Sequence, residues 1–190
     1  MTRRLKLTLA CALAAALAAA VPVTVDAKPA KRTTKKAIWG PEQVNGVSQF
    51  PIYRDLGVGI YQTGLNWATI APTRPANPRD PNDPAYRWPA YLDYAISEAR
   101  RYKIRIAVNL TRAPGWANGG RAPEWAPENP KDFADFAYAA SKRYPYVTYW
   151  IVWAEPSRFS NFQPLPPKAR PNKTTYKTDT LSFGGEGIVY

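Results

Sequence analysis

From Trp88 to Tyr102 apolar side chains fall at Leu92, Ala95, Ile96 and Ala99, the spacing of a helix with one buried face. Arg100, Arg101 and Lys103 crowd its end, where cations suit the helix dipole. Lys131 to Tyr144 repeats the pattern with Phe133, Phe136, Ala137 and Ala140. Asn129 is placed to cap that helix, Pro130 to occupy its first turn and Pro145 to stop it. Between the two, the period changes to two: Ile104, Ile106, Val108 and Leu110 alternate and predict a strand. Gly57 to Gly64 alternates likewise and runs on through Leu65, Asn66 and Trp67. Val147 to Trp153 is apolar at almost every position, which predicts a strand buried on both faces, as in parallel sheets. Ala37 to Trp39, closed by Gly40 and Pro41, predicts a short buried first strand. Val47 to Leu56 has roughly helical spacing, with Pro51 against it. Ala71 to Pro84 is dense in Pro, Asn, Arg and Asp and predicts a long surface loop.

Strands and helices therefore alternate, and alternation implies right-handed crossovers and a parallel sheet. Two α/β architectures fit: an open doubly wound sheet and a (β/α)8 TIM barrel. No Gly-rich phosphate loop follows the first strand, which weighs against a nucleotide-binding sheet. In a barrel the chemistry gathers on loops after the strand C-termini. Here those loops are the Pro-rich stretch after the second strand, Arg112 to Trp125 after the third, and Glu155 onward after the fourth. The expected fold is a partial (β/α)8 barrel of about four βα units, spanning residues 37–165.

The ends change the picture. Arg3, Arg4 and Lys6 precede an apolar run from Leu7 to Val21, and Val25-Asp26-Ala27 offers a cleavage site, so residues 1–27 read as a signal peptide of a secreted, extracellular protein. The single cysteine, Cys11, lies inside that leader, so the mature chain is expected to hold no disulfide. Residues 28–36 are short, polar and basic and read as a disordered spacer. Much of the net charge of +12 sits in these two segments, and the rest carries only a mild basic excess that suits anionic cell-wall polymers. Its Lys and Arg are scattered, which gives no nucleic-acid recognition module. Residues 166–190 form an irregular basic tail whose end, Glu186 to Tyr190, reads as the start of a helix cut short, so a truncated barrel is expected.

Histidine is absent, which removes Ser-His-Asp and Cys-His chemistry and His-based metal sites. Any catalysis must rest on carboxylates, Lys, Tyr or backbone. Glu155 lies immediately beyond the fourth strand, between Trp153 and Pro156. Pro156 biases it toward an extended conformation. Hydrophobic neighbours there would suit a general acid, because a carboxyl among apolar groups keeps its proton more readily. A glutamate that caps the strand and faces water fits the same residues. With 7 Trp and 12 Tyr, the chain also has flat rings that either fill a core or make platforms for sugars. Trp116 and Trp125, in loops rich in Gly and Pro, fit the platform role better; Trp67 and Trp153, at strand ends, fit either. Asn109 and Arg112 flank the end of the third strand, within reach of a ligand hydroxyl, although Arg112 suits a surface role equally.

Trp153-Ala154-Glu155-Pro156 after a fourth strand resembles the Trp-Asn-Glu-Pro signature of the retaining (β/α)8 glycoside hydrolases, the cellulase-like enzymes of families 5 and 39. Gly57 to Pro72 resembles that group's second strand and turn, and Val108 to Ala117 its third strand and sugar-binding loop. The resemblance implies that Glu155 is the catalytic acid/base and that Trp116, Trp153, Trp67, Asn109 and Trp125 bind substrate. Two departures stand out. The family asparagine that bonds the substrate 2-hydroxyl is here Ala154, and such bonds strengthen in the transition state. A retaining enzyme also needs a second carboxylate about 5–5.5 Å from the first. The family carries it on a seventh strand, which has no counterpart here; Glu124 is the loop carboxylate best placed to approach instead.

The expected function is hydrolysis of an O-glycosyl bond in a polysaccharide or oligosaccharide, by a fragment lacking its nucleophile. The alternative is a non-catalytic secreted carbohydrate-binding protein; a third reading is a basic cell-wall protein with an idle barrel. The expected partner is carbohydrate, with no nucleic acid, no membrane after signal cleavage, no cofactor and no metal.

Overall fold

The computed structural model describes residue 31 and residues 33–164. The expected leader and the tail lie outside the described residues. Strand β1 spans Thr33–Trp39, and a hairpin follows from β2 (Gln43–Val44) and β3 (Val47–Ser48). Helix α1 is Phe50–Asp55, strand β4 is Val58–Asn66, and the one-turn helix α2 is Trp67–Ile70. Helix α3 (Ala90–Arg101), strand β5 (Arg105–Thr111), helix α4 (Pro130–Arg143) and strand β6 (Tyr149–Val152) complete the order. Strands β1, β4, β5 and β6 form one four-stranded sheet in that order, and every neighbouring pair is parallel.

Both long helices form where the apolar spacing places them. Leu92, Ala95, Ile96 and Ala99 of α3 are buried, as are Phe133, Phe136 and Ala140 of α4. Asn129 caps α4, its Oδ1 accepting from the Lys131 amide at 3.0 Å. Alternation then divides the sheet. Tyr61, Leu65, Ile106, Val108 and Leu110 belong to the hydrophobic core, while Ile60, Gln62, Gly64, Ala107, Asn109 and Ile151 point the other way and do not. An aromatic group thickens the core, with Trp67 stacked on Phe136 at 5.4 Å and Trp88 stacked on the same ring at 6.2 Å.

Four expectations need correction. β6 is not buried on both faces: Tyr149 and Val152 are exposed, because among the described residues β6 is an edge strand with only β5 beside it. β1 is likewise an edge strand and largely exposed. It begins at Thr33, inside the stretch assigned to a spacer, where the Thr33 amide donates to Gly57 O at 3.2 Å and the ammonium of Lys36 donates to Leu56 O at 3.0 Å. The helix expected over 47–56 shrinks to α1, because Asn45 and Gly46 take positive φ (51° and 76°) and turn the preceding residues into a hairpin. Pro51 does not interrupt α1; it sits in its first turn, where no amide bond is lost. Finally, the loop after α2 is anchored as well as exposed. Asp83 is buried and accepts from the Ala85 and Asn77 amides at 3.0 and 2.8 Å, and Tyr86 packs in the core.

Candidate functional site

At the C-terminal end of the sheet, on the face turned away from the core, lies a cleft of about 450 Å³. It is lined by Trp39, Gln62, Asn109, Thr111, Arg112, Ala154, Glu155 and Asn161. The strands place these residues through register. Trp39 of β1 pairs with Gln62 of β4; Gly64 pairs with Asn109 of β5, which in turn pairs with Ile151 of β6. Period-two alternation carries all of them to one face.

Glu155 reaches the cleft by a sharp return of the chain after β6. Trp153 anchors that return: its ring is buried between Phe133 and Phe162, and its Nε1 donates to Asn161 O at 2.5 Å. Glu155 is not extended, as Pro156 alone would dictate. Its φ is 50°, in the left-handed region, because the turn brings its carbonyl to accept from the Arg158 amide at 3.0 Å. Its surroundings are not apolar either. Oε2 accepts from Asn161 Nδ2 at 2.7 Å and from Arg158 Nη1 at 3.2 Å, and 55% of the side chain is exposed.

Arg112 also adopts positive φ (68°) and ties the rim together: Nη1 donates to Ser160 O at 3.1 Å and lies 3.5 Å from Glu124 Oε2. Glu124 therefore engages Arg112, and it is not among the residues lining the cleft. Among the described lining residues Glu155 is the one carboxylate. No group of three or more His, Cys, Asp or Glu able to hold a metal occurs among the described residues, nor any helix long and apolar enough to cross a membrane.

Of the residues singled out from the sequence, the cleft brings together Glu155, Asn109 and Arg112. Asn109 is 4% exposed within β5, and its Oδ1 has no hydrogen-bond partner among the described residues. The other four lie elsewhere. Trp67 is in the core, against the edges of Trp116 and Phe133 and the face of Phe136. Trp116 donates from Nε1 to Ala71 O at 2.8 Å, and the guanidinium of Arg74 covers its ring at 4.4 Å. Trp125 lies under Arg121 and bridges to Gln163. Trp153 is the buried anchor already described. Trp39, Gln62, Thr111 and Asn161 line the cleft but escaped the sequence reading. For the three strand residues the signal was the period-two pattern counted back from each strand's C-terminal end; Asn161 had none.

No protein-family model matches this sequence, and no curated protein matches it. Among solved structures, a family 39 glycoside hydrolase from the gut symbiont Bacteroides cellulosilyticus WH2 superimposes with a TM-score of 0.53 at 19% identity. The match covers 66% of this chain and 25% of that one, so the chain spans about a quarter of that protein. The likeness is one of fold: a mixed α/β unit with a parallel sheet.

Proposed function

We propose that the cleft is a carbohydrate site of glycoside hydrolase type, with Glu155 as acid/base, and that the sheet is the N-terminal half of a (β/α)8 barrel. One observation carries this reading. Two non-glycine residues in the left-handed region, Arg112 and Glu155, line one cleft at the C-terminal end of a parallel sheet, and a third, Trp153, lies in the turn that delivers Glu155. Such conformations cost on the order of 1–3 kcal/mol each and persist where the surrounding structure holds them, most often at functional sites. The C-terminal end is also where barrel enzymes keep their chemistry. The fold shared with a family 39 glycoside hydrolase supports the same class.

In this reading Glu155 protonates the glycosidic oxygen as the bond to the sugar breaks, then takes a proton from the incoming water. Asn161 and Arg158 hold its carboxylate in place. The second carboxylate that retention requires is not among the described residues that line the cleft. The reading includes a secreted location, which rests on the basic and apolar leader of residues 1–27.

The test is the activity of Glu155→Gln. Turnover of a natural oligosaccharide should fall by roughly 10²–10⁴-fold, the usual worth of a general acid/base. Aryl glycosides with good leaving groups should lose far less in the first step. Unchanged turnover of the natural substrate would remove Glu155 from the role. A second reading, a carbohydrate-binding protein without catalysis, is favoured by Ala154, which lines the cleft with a methyl group where the resembling enzymes carry an amide. Sugar binding with no turnover of any glycoside would select it.

A further inference from the structure

We infer that Trp39, seated over Gly64, is the stacking platform of this cleft, and that a pyranose ring docks on it while one of its hydroxyls donates to Asn109 Oδ1. The inference rests on the carbohydrate reading above and names the residues that hold the ring, independently of Glu155.

Trp39 is the last residue of β1, is 62% exposed, and is the one aromatic ring among the described residues that line the cleft. A single exposed ring is ordinary on a protein surface; what marks Trp39 is its place in the lining of a polar cleft, against a glycine. Its position is prepared from below. Gly64 has no left-handed φ, so its backbone does not demand glycine; the missing side chain instead leaves room for the indole. A Cβ built at Gly64 would lie 3.8 Å from Trp39 Cη2, in ordinary contact. Alanine therefore fits at 64, and any longer side chain would take the space the ring now occupies.

Next to that seat, across the ladder, is Asn109. Its neighbours in register are Gly64 and Ile151, and neither offers a polar side chain. Its buried Oδ1 is thus an acceptor that no described residue satisfies, and buried acceptors are almost always paired. Gln62, beside Trp39 in register, and Thr111, two residues beyond Asn109, add polar groups on the same face. A flat apolar wall beside a buried acceptor and flanking polar groups matches a pyranose, which presents C–H bonds on its face and hydroxyls at its rim. The same wall and floor would not select a fully apolar ring, which leaves Asn109 unmet.

The experiment is calorimetric titration of the full chain with cellohexaose, xylohexaose and mannohexaose, on wild type, Trp39→Ala, Trp39→Phe, Gly64→Ala, Gly64→Leu and Asn109→Leu. One sugar should bind. Trp39→Ala should then raise its Kd at least about tenfold with the melting temperature within about 2 °C, and Trp39→Phe should recover most of the loss. Gly64→Leu should reproduce the loss by filling the seat, while Gly64→Ala binds as wild type does. Asn109→Leu should weaken binding without removing it. Unchanged Kd in Trp39→Ala, or a large fall in melting temperature with unchanged Kd, would make Trp39 a structural residue and overturn the platform while leaving the carbohydrate reading intact. No binding of any of the three sugars by the wild type would overturn both.

Discussion

Asn161 donates from its Nδ2 to Oε2 of Glu155 at 2.7 Å, across a return of the chain only six residues long. Ala154 brings no side-chain amide to the carboxylate, so the amide that touches it comes from the far side of the turn. Asn161 also accepts the buried Trp153 indole through its carbonyl, so one residue fixes both the glutamate and the strand end before it.

Asn161→Ala should therefore free the Glu155 side chain and lower kcat about five- to tenfold, the worth of one hydrogen bond to a charged group at a partly exposed site, with little change in sugar Kd. Arg158→Ala should cost less than about threefold, because both partners of that ion pair are more than half exposed. Parallel kinetics and binding on the two variants distinguish positioning from substrate contact. Equal effects on kcat and on Kd would assign Asn161 to the ligand instead.

Trp67→Ala and Trp116→Ala separate core rings from platforms. Trp67 is 1% exposed and packs on three aromatic rings. Its truncation should cost about 3–5 kcal/mol in denaturant unfolding. Trp116 loses the bond to Ala71 O and the cover of Arg74, so its truncation should cost about 1–3 kcal/mol and leave sugar affinity unchanged. A raised Kd with unaltered stability in Trp116→Ala would return it to the platform role that its Gly- and Pro-rich loop first implied.

Stability should fall at both extremes of pH. Burial, before any other cause, raises the phenols of Tyr61, Tyr86 and Tyr144 well above the ordinary tyrosine range. The folded chain therefore keeps protons that the unfolded chain releases above about pH 10. Stability is full below that point and declines as pH rises further. At the acid end the Ala85 amide, then the Asn77 amide, holds Asp83 below the ordinary carboxylate range. Its contribution is present above about pH 4 and is lost as pH falls through the lowered native value. Phenolate absorbance during an alkaline titration should show some tyrosines ionising only as the fold is lost. A smooth, non-cooperative titration of every tyrosine near pH 10 would contradict the burial of these three.

Much of the scaffold is written in the chain's periodicity. The buried face of α3 is readable because Leu92, Ala95, Ile96 and Ala99 follow one another without a break, and β5 because Ile106, Val108 and Leu110 alternate. The hairpin is harder, since two-residue strands have too few positions to show a period, although Asn45-Gly46 is itself a turn signal. β6 and β1 are read as buried from their apolar residues, but burial depends on neighbours, and both stand at sheet edges. The left-handed turn at Glu155 runs against the local bias of Pro156 and arises from contacts with Arg158 and Asn161. The aromatic residues mislead for a related reason: composition counts rings but does not say which face of which strand they leave. Trp39 gains its place only once Gly64 is known to lie beneath it.

The central claim is that Glu155 meets a sugar in this cleft, and affinity labelling tests it most directly. An N-bromoacetyl glycosylamine places an alkylating carbon beside a sugar ring; a carboxylate at the glycosidic position displaces bromide and becomes an ester. After digestion, mass spectrometry should locate that ester on Glu155. An excess of the binding oligosaccharide should suppress the labelling, and Glu155→Gln should abolish it. Labelling confined to other carboxylates, or labelling of Glu155 that no sugar protects against, would contradict the account.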